Sequence, residues 1–185
     1  MRVLVGCEYS RTVGSAFEAV GHTVLTCDLE PCEQGGRHYQ GDVFEALSKD
    51  VWDLIILHPP CTHMAVCGNR HYAGTEARSA AVVWTLDLWL KALATGAKVA
   101  LENPVGVLSS KWRPPDQYIQ PWQFGHGETK KTGLWLHNLP PLKPTNIVDG
   151  REPRIWKMSP SPDRGKERSR FYPGIAAAMA QQWSI

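Results

Sequence analysis

The sequence predicts an α/β fold built on an open, mainly parallel sheet, Rossmann-like in plan. Three observations predict it: short apolar runs alternate with helix-spaced segments over the first hundred residues, glycines stand where the helices should stop, and several apolar runs end in acidic residues or prolines. Arg2 to Gly6 is the first apolar run and reads as a strand. Thr12 to Val20 places Val13, Ala16, Phe17 and Val20 at helical spacing, with Gly21 as the stop. His22 to Cys27 reads as the second strand, closed by Asp28. Phe44 to Ser48 suits a short helix, and Trp52 to Leu57 the next strand. The longest helical candidate runs from Glu76 to Thr95, with Val83, Leu86, Leu90 and Leu93 on one face and Gly96 as its stop. Lys98 to Leu101 makes a further strand that runs out into Glu102-Asn103-Pro104. Strands that alternate with helices need crossover connections, and crossovers make a sheet parallel.

Beyond Pro104 the texture changes to proline, tryptophan and glycine. A strand is expected within Phe124 to Leu136, a polar loop from Arg151 to Arg170, and a closing helix from Gly174 to Trp183. There is no internal repeat and no linker-like stretch, so residues 1–185 are expected to form a single domain. With 43% hydrophobic and 21% charged residues, the chain has the apolar content for a core, which excludes a disordered tail. A formal net charge of +2 is too mild to demand a nucleic-acid partner by itself. No apolar run approaches the roughly 18 residues of a membrane-spanning helix, and the start at Met1 lacks a charged-then-apolar leader. The 5 cysteines, Cys7, Cys27, Cys32, Cys61 and Cys67, are odd in number and scattered, which points to reduced thiols in a cytoplasm.

In an open α/β sheet, ligands bind outside the carboxyl ends of the strands. Those ends carry Gly6-Cys7-Glu8-Tyr9-Ser10, then Asp28, then His58-Pro59-Pro60-Cys61-Thr62, then Glu102-Asn103-Pro104. Two prolines cannot donate to a sheet ladder, so Pro59 and Pro60 end their strand and leave Cys61 on a stiff turn. Such a cysteine is either a small buried strand terminator or a nucleophile held rigidly in place. Asp28, closing the second strand, is placed to accept hydrogen bonds from ribose hydroxyls, and Asp42 is placed to meet an adenine amino group. Each feature alone is more often a turn former; their order along the chain carries the functional reading.

That ordered set, with Pro59-Pro60-Cys61 and then Glu102-Asn103, resembles the DNA cytosine-5 methyltransferase family over roughly residues 1–136 and the last helix. The resemblance implies S-adenosyl-L-methionine as cofactor, with Gly6, Cys7, Glu8, Tyr9 and Ser10 at its methionine moiety, Asp28 on the ribose, Asp42 on the adenine and Pro59 alongside. It implies Cys61 as nucleophile, supported by Pro60, with Glu102 as acid and Asn103 orienting the base or the loop. The chemistry explains the pairing. Carbon 5 of a pyrimidine is a poor nucleophile until a thiolate adds to carbon 6, and that addition is favoured when ring nitrogen 3 gains a proton or a strong hydrogen bond. After methyl transfer, loss of the carbon 5 proton and expulsion of the thiolate restore the ring.

This sequence also departs from the family's pattern. His58 precedes the prolines where the family carries glycines. The family's Gln-x-Arg-x-Arg strand corresponds to Phe124 to Thr132, which puts Glu128, Lys130 and Thr132 at its key positions, with Lys130 and Thr132 as substrate contacts. No sizeable target-recognition region follows. The basic stretch 143–170 stands there instead, with Arg151, Arg154, Lys157, Arg164, Lys166, Arg168 and Arg170 around Trp156, and Phe171 just beyond. Such a stretch either grips phosphates and an unpaired base, through Arg168 and Arg170 among others, or is a solvated loop. The expectation is a small, phage-type enzyme in the host cytoplasm acting on cytosine in DNA, with a second copy or a protein partner to supply target recognition. A free pyrimidine nucleotide or RNA as substrate, or a non-catalytic nucleic-acid or protein binder, are the alternatives. His58, Cys61, His63, Cys67 and His71 lie close in sequence, but without a paired Cys-x-x-Cys no metal is expected.

Overall fold

In the computed structural model, which describes residues 1–162 and 164–184, seven strands form one sheet. In chain order they are β1 (Arg2–Gly6), β2 (Thr23–Asp28), β3 (His38–Gln40), β4 (Leu54–Leu57), β5 (Lys98–Pro104), β6 (Gln117–Ile119) and β7 (Thr132–His137). Their spatial order is β3-β2-β1-β4-β5-β7-β6. The first five run parallel, and β7 lies antiparallel between β5 and β6. The expected open, mainly parallel sheet is therefore present. β4 is buried along its whole length, as a parallel strand covered on both faces should be.

Helices cover both faces. On one face α1 (Thr12–Ala19) packs with the last helix, so that Val13 and Phe17 share a core with Ile175, Ala176, Met179 and Trp183. On the other, α2 (Val43–Leu47) packs near the long helix that joins β4 to β5. Between β4 and that long helix lies the short α3 (Asn69–Tyr72). The long helix, α4 (Glu76–Ala94), is capped by Thr75, whose hydroxyl accepts from the Arg78 amide at 3.3 Å. Gly21 and Gly96 end α1 and α4 at φ 89° and 80°, a left-handed turn that glycine adopts without a Cβ penalty.

The buried face of α4 overlaps the expected one only in Leu86 and Leu93, which pack partly buried against the core. Val82, Leu88, Trp89 and Ala92 meet the sheet, whereas Val83 and Leu90 are 66% and 62% exposed. The helix is apolar around most of its circumference, so spacing alone allows two faces, and the fit of Trp89 against Trp112 selects one. Three further boundaries differ. Glu102 and Asn103 lie inside β5, paired with Leu134 and Gly133, because the antiparallel β7 extends the ladder past the parallel neighbours. Only Thr132 of the Phe124–Thr132 stretch is in a strand; Glu128 and Lys130 lie in the loop before it. The Arg151–Arg170 stretch contains α6 (Arg154–Lys157) and α7 (Arg164–Ser169), after the small α5 (Leu108–Lys111) and before α8 (Pro173–Trp183). None of the helices in the described residues is long and apolar enough to cross a membrane.

The sheet order reverses between β1 and β4, which makes the carboxyl ends of those strands the topological switch point. The loop after β4 is tied down there. Ala65 bridges Gly106, the Val66 amide donates to the Val105 carbonyl at 3.0 Å, and the Val107 amide to the Met64 carbonyl at 2.9 Å. A Cβ at Gly106 would run into the Met64 carbonyl. Gly106→Ala should therefore destabilise the protein by about 1–3 kcal/mol and loosen this loop. An unchanged urea midpoint would show that the close approach constrains nothing.

Candidate active site

Strand register builds the site. Gly6 lies opposite Leu57, and Leu57 opposite Leu101, so the residues just beyond them, Cys7-Glu8, His58 and Glu102, come out in one row. The His58 amide donates to the Gly6 carbonyl at 2.9 Å, continuing the ladder one residue past β4 before the prolines end it. Pro59 is buried, and its carbonyl accepts from the Asn103 side-chain amide at 2.9 Å. Asn103 thus braces the turn that carries Cys61. The Met64 and Ala65 amides close the turn on the Cys61 carbonyl at 3.0 and 2.9 Å.

Cys61 is partly exposed, and its electrostatics link it to its neighbours. Burial pushes its thiol pKa up, the Glu102 carboxylate pushes it further, and the Lys130 ammonium pulls against both. Glu102 on β5 and Lys130 before β7 are therefore close enough to act on the thiol. Glu102 is also held from the side: His58 Nδ1 lies 3.0 Å from its Oε2, and both side chains are 11% exposed. Thr132 is buried, with its hydroxyl donating to the Lys130 carbonyl at 3.1 Å.

At the other strand ends the first turn is structural, with Glu8 and Ser10 buried. Cys7 adopts φ 61°. Glu8 is buried with its carboxylate on the α1 N-terminus, accepting from the Val13 and Gly14 amides at 2.6 and 3.1 Å. Burial raises the Glu8 pKa, while His58 and these amides lower it. Asp28 is half-buried and accepts from the Glu30 amide at 3.0 Å. Asp42 caps α2 through the Phe44 amide at 2.9 Å. Asp28 and Asp42 converge on the same spot, since both help burial raise the Cys7 thiol and push Cys27 up to about 12. Beside Pro60 opens a mostly apolar cleft of about 290 Å³, lined by Pro60, Thr62, His63, Ala81 and Trp84.

The basic stretch is not a free arm. Arg170 grips Glu33 with two nitrogens at 2.9 and 3.1 Å, and Lys166 reaches the same carboxylate at 3.2 Å. Arg154 pairs with Glu128 at 2.9 Å, Arg168 donates to the Ile155 carbonyl, and Lys130 donates to the Arg168 and Arg170 carbonyls at 2.9 and 3.4 Å. The Tyr9 hydroxyl meets Ser169 at 3.1 Å, and the Phe171 ring rests 4.9 Å from the His58 ring. Residues 164–171 thus form a strap across the first turn and the wall of the Cys61 site. Arg168 turns its charged end to the Ile155 carbonyl on α6, and Arg170 turns its own to Glu33 and Glu167. Trp156 is 77% exposed.

Sequence reading missed the His58–Glu102 contact, the capping role of Glu8 and the Glu33 clamp. The histidine standing just ahead of the two prolines was the one available signal for the first. The five clustered His and Cys residues face different partners: His63 and His71 pack on Tyr72 at 4.5 and 6.3 Å, Cys67 is exposed, and His58 faces Glu102. Among the described residues, no group of three His, Cys, Asp or Glu side chains is arranged to hold a metal ion.

No family model matches the chain, and no curated protein sequence does. Solved structures resemble it. A candidate DNA modification methyltransferase encoded within an E. coli prophage superposes with a TM-score of 0.54 at 11% identity, covering 80% of this chain and 52% of that one. The chain therefore spans about half the length of that protein. A short-chain dehydrogenase/reductase superfamily protein from Agrobacterium tumefaciens with bound NAD aligns at a TM-score of 0.38 and 24% identity, over 53% of this chain and 30% of its own, too partial a match to bear on the fold. The first likeness speaks for the fold alone: an open, mainly parallel, Rossmann-like α/β sheet.

The thiol electrostatics can be checked directly. A raised pKa keeps Cys61 mostly protonated at neutral pH, so its alkylation should climb as pH rises past the ordinary thiol range. Glu102→Gln removes the repelling charge and should speed alkylation at pH 8, whereas Lys130→Ala should slow it. Peptide mapping with exposed Cys67 as reference reads both; equal rates in all three proteins would mean the groups do not interact.

Proposed function

We propose that this protein transfers a methyl group from S-adenosyl-L-methionine to carbon 5 of cytosine in DNA, through a transient bond to Cys61. The observation that carries the reading is the convergence of Glu102 on β5 and Lys130 before β7 on the Cys61 thiol, each within electrostatic reach of it. A thiolate and a carboxylate that repel each other favour states in which one of them keeps a proton. That suits a reaction in which sulfur adds to carbon 6 while Glu102 gives its proton to nitrogen 3. Asn103 and the two prolines hold the sulfur still, and a well-held nucleophile saves much of the entropic cost of attack. When the ring is restored, Glu102 takes the nitrogen 3 proton back, the carbon 5 proton passes to water, and the electron pair it leaves re-forms the ring double bond as the carbon 6–sulfur bond breaks and Cys61 departs as thiolate.

The residues at the neighbouring strand ends fit the proposed cofactor. Asp28 presents a half-buried carboxylate suited to ribose hydroxyls, and the apolar cleft beside Pro60, walled by Trp84, suits a flat heteroaromatic ring. When bound, the cofactor supplies an electrophilic methyl group on its sulfonium. Cys7, Tyr9 and Ser10 shape the turn beside it, and Gly6 passes so close to Val43 and Leu57 that a Cβ there would stand 2.6 and 2.9 Å from their side chains.

A second reading has its own support. Arg154, Lys166 and Arg170 are committed to Glu128 and Glu33, which leaves less free cation for a polymer's phosphates and favours a free pyrimidine nucleotide as substrate. Incubation with labelled S-adenosyl-L-methionine and duplex DNA, single-stranded DNA, RNA or cytidine nucleotides separates the two. Label on cytosine in DNA is the expected outcome, abolished by Cys61→Ala and restored by no other cysteine. Asp28→Ala should weaken cofactor binding in calorimetry by about tenfold or more, in line with the loss of hydrogen bonds to a charged group. Label confined to nucleotides would favour the second reading, and no transfer to any of them would reject both.

A further inference from the structure

We propose that His58 is a positioning residue for Glu102: it holds the carboxyl group by donating from Nδ1, and it gives more to Glu102 once that group has lost its proton. This inference rests on the methyl-transfer reading of the site. It concerns a residue that stands where the resembling family carries glycine.

Three observations carry it. Nδ1 lies 3.0 Å from Glu102 Oε2, with both side chains almost fully buried. The other ring nitrogen, Nε2, is buried and has no hydrogen-bond partner. The Phe171 ring lies against the imidazole at 4.9 Å, so the ring is held in place from the side of the strap. A buried N–H without an acceptor costs more than an unfilled lone pair, so neutral His58 carries its hydrogen on Nδ1 and leaves Nε2 as the bare acceptor. The Nδ1–H then donates to Oε2, which leaves Oε1 to carry the carboxyl proton.

The consequence is a bond that changes strength during the reaction. While Glu102 is a neutral acid, the His58 contact is an ordinary hydrogen bond. As the proton passes from Oε1 to nitrogen 3 of the pyrimidine and sulfur closes on carbon 6, Oε2 becomes part of a carboxylate and the same bond becomes charge-assisted. An interaction that strengthens toward the transition state raises kcat rather than tightening substrate binding. His58 itself neither gains nor loses a proton. The groups that face it are Glu102 from β5, Glu8 from the turn after β1 and the uncharged Phe171 from the strap, with Cys61 within electrostatic reach of Glu102 beyond.

The test has one arm that needs no turnover. Nitrogen-15 spectra of histidine-labelled protein should show His58 as the neutral Nδ1–H tautomer, and Glu102→Ala should shift it toward the Nε2–H form. The second arm is kinetic. His58→Ala should lower kcat about tenfold to a hundredfold with KM nearly unchanged, a fraction of what a general acid contributes. His58→Asn, which keeps an amide N–H at the δ position, should recover most of that loss. An Nε2–H tautomer in the wild type overturns the proposal, as does His58→Ala with wild-type kcat, or His58→Asn no faster than His58→Ala. Failure of the underlying reading looks different: the wild type then transfers no methyl group to any pyrimidine, whatever the tautomer.

Discussion

Everything in the site depends on one alignment, the shared register of β1, β4 and β5. Gly6, Leu57 and Leu101 stand side by side, so the chain's next residues on each strand emerge together at the switch point. Hydrogen bonding along buried parallel strands leaves no slack in that register, because a slip of one residue would turn each strand's buried side chains to the opposite face. The ladder then sets the reach of His58 to Glu102, and the Asn103 amide on the Pro59 carbonyl sets the turn that carries Cys61. Pro59 and Pro60 accordingly both end the strand and fix the thiol.

The arrangement gathers groups that do not stabilise a fold. Glu8, His58, Cys61 and Glu102 lie together where burial raises the pKa of Glu8 and of Cys61. Buried titratable groups that are only partly paired cost stability, and they concentrate where chemistry is done. Some of that cost is offset locally, since Glu8 is held by two amides at the positive end of α1 and Asn103 donates to Pro59. The unpartnered Nε2 of His58 and Oδ1 of Asn103 are not offset within the protein. A polar core with open positions at the carboxyl ends of strands is what a binding site needs and a purely structural core avoids.

The sheet was legible because its signals are local. Apolar runs such as Leu54–Leu57, stops at Gly21 and Gly96, and prolines after β4 each act within a few residues. The face of α4 was not, since a helix apolar on most sides leaves the choice to the packing of Trp89 and Leu88 against residues distant in sequence. The position of Cys61 relative to Glu102 followed from the order of the motifs, whereas the strap did not. Its contacts join Glu33 to Arg170 and Tyr9 to Ser169, pairs far apart along the chain, and a run of arginines reads the same whether it faces phosphate, water or an internal carboxylate. His58 stood in plain view ahead of the two prolines, but its meaning required the neighbouring strand.

The account's central claim is that Cys61 forms a bond to a pyrimidine ring with Glu102 as the acid. A DNA oligonucleotide carrying 5-fluorocytosine tests it most directly, because fluorine at carbon 5 cannot leave as a proton and the ring cannot be restored after methylation. Incubation with S-adenosyl-L-methionine, digestion and mass spectrometry should reveal an adduct carrying the methyl group on the peptide that contains Cys61, formed far more slowly in the Glu102→Gln protein. An adduct on Cys7 or Cys67, or none in the presence of demonstrated methyl transfer, would contradict the account.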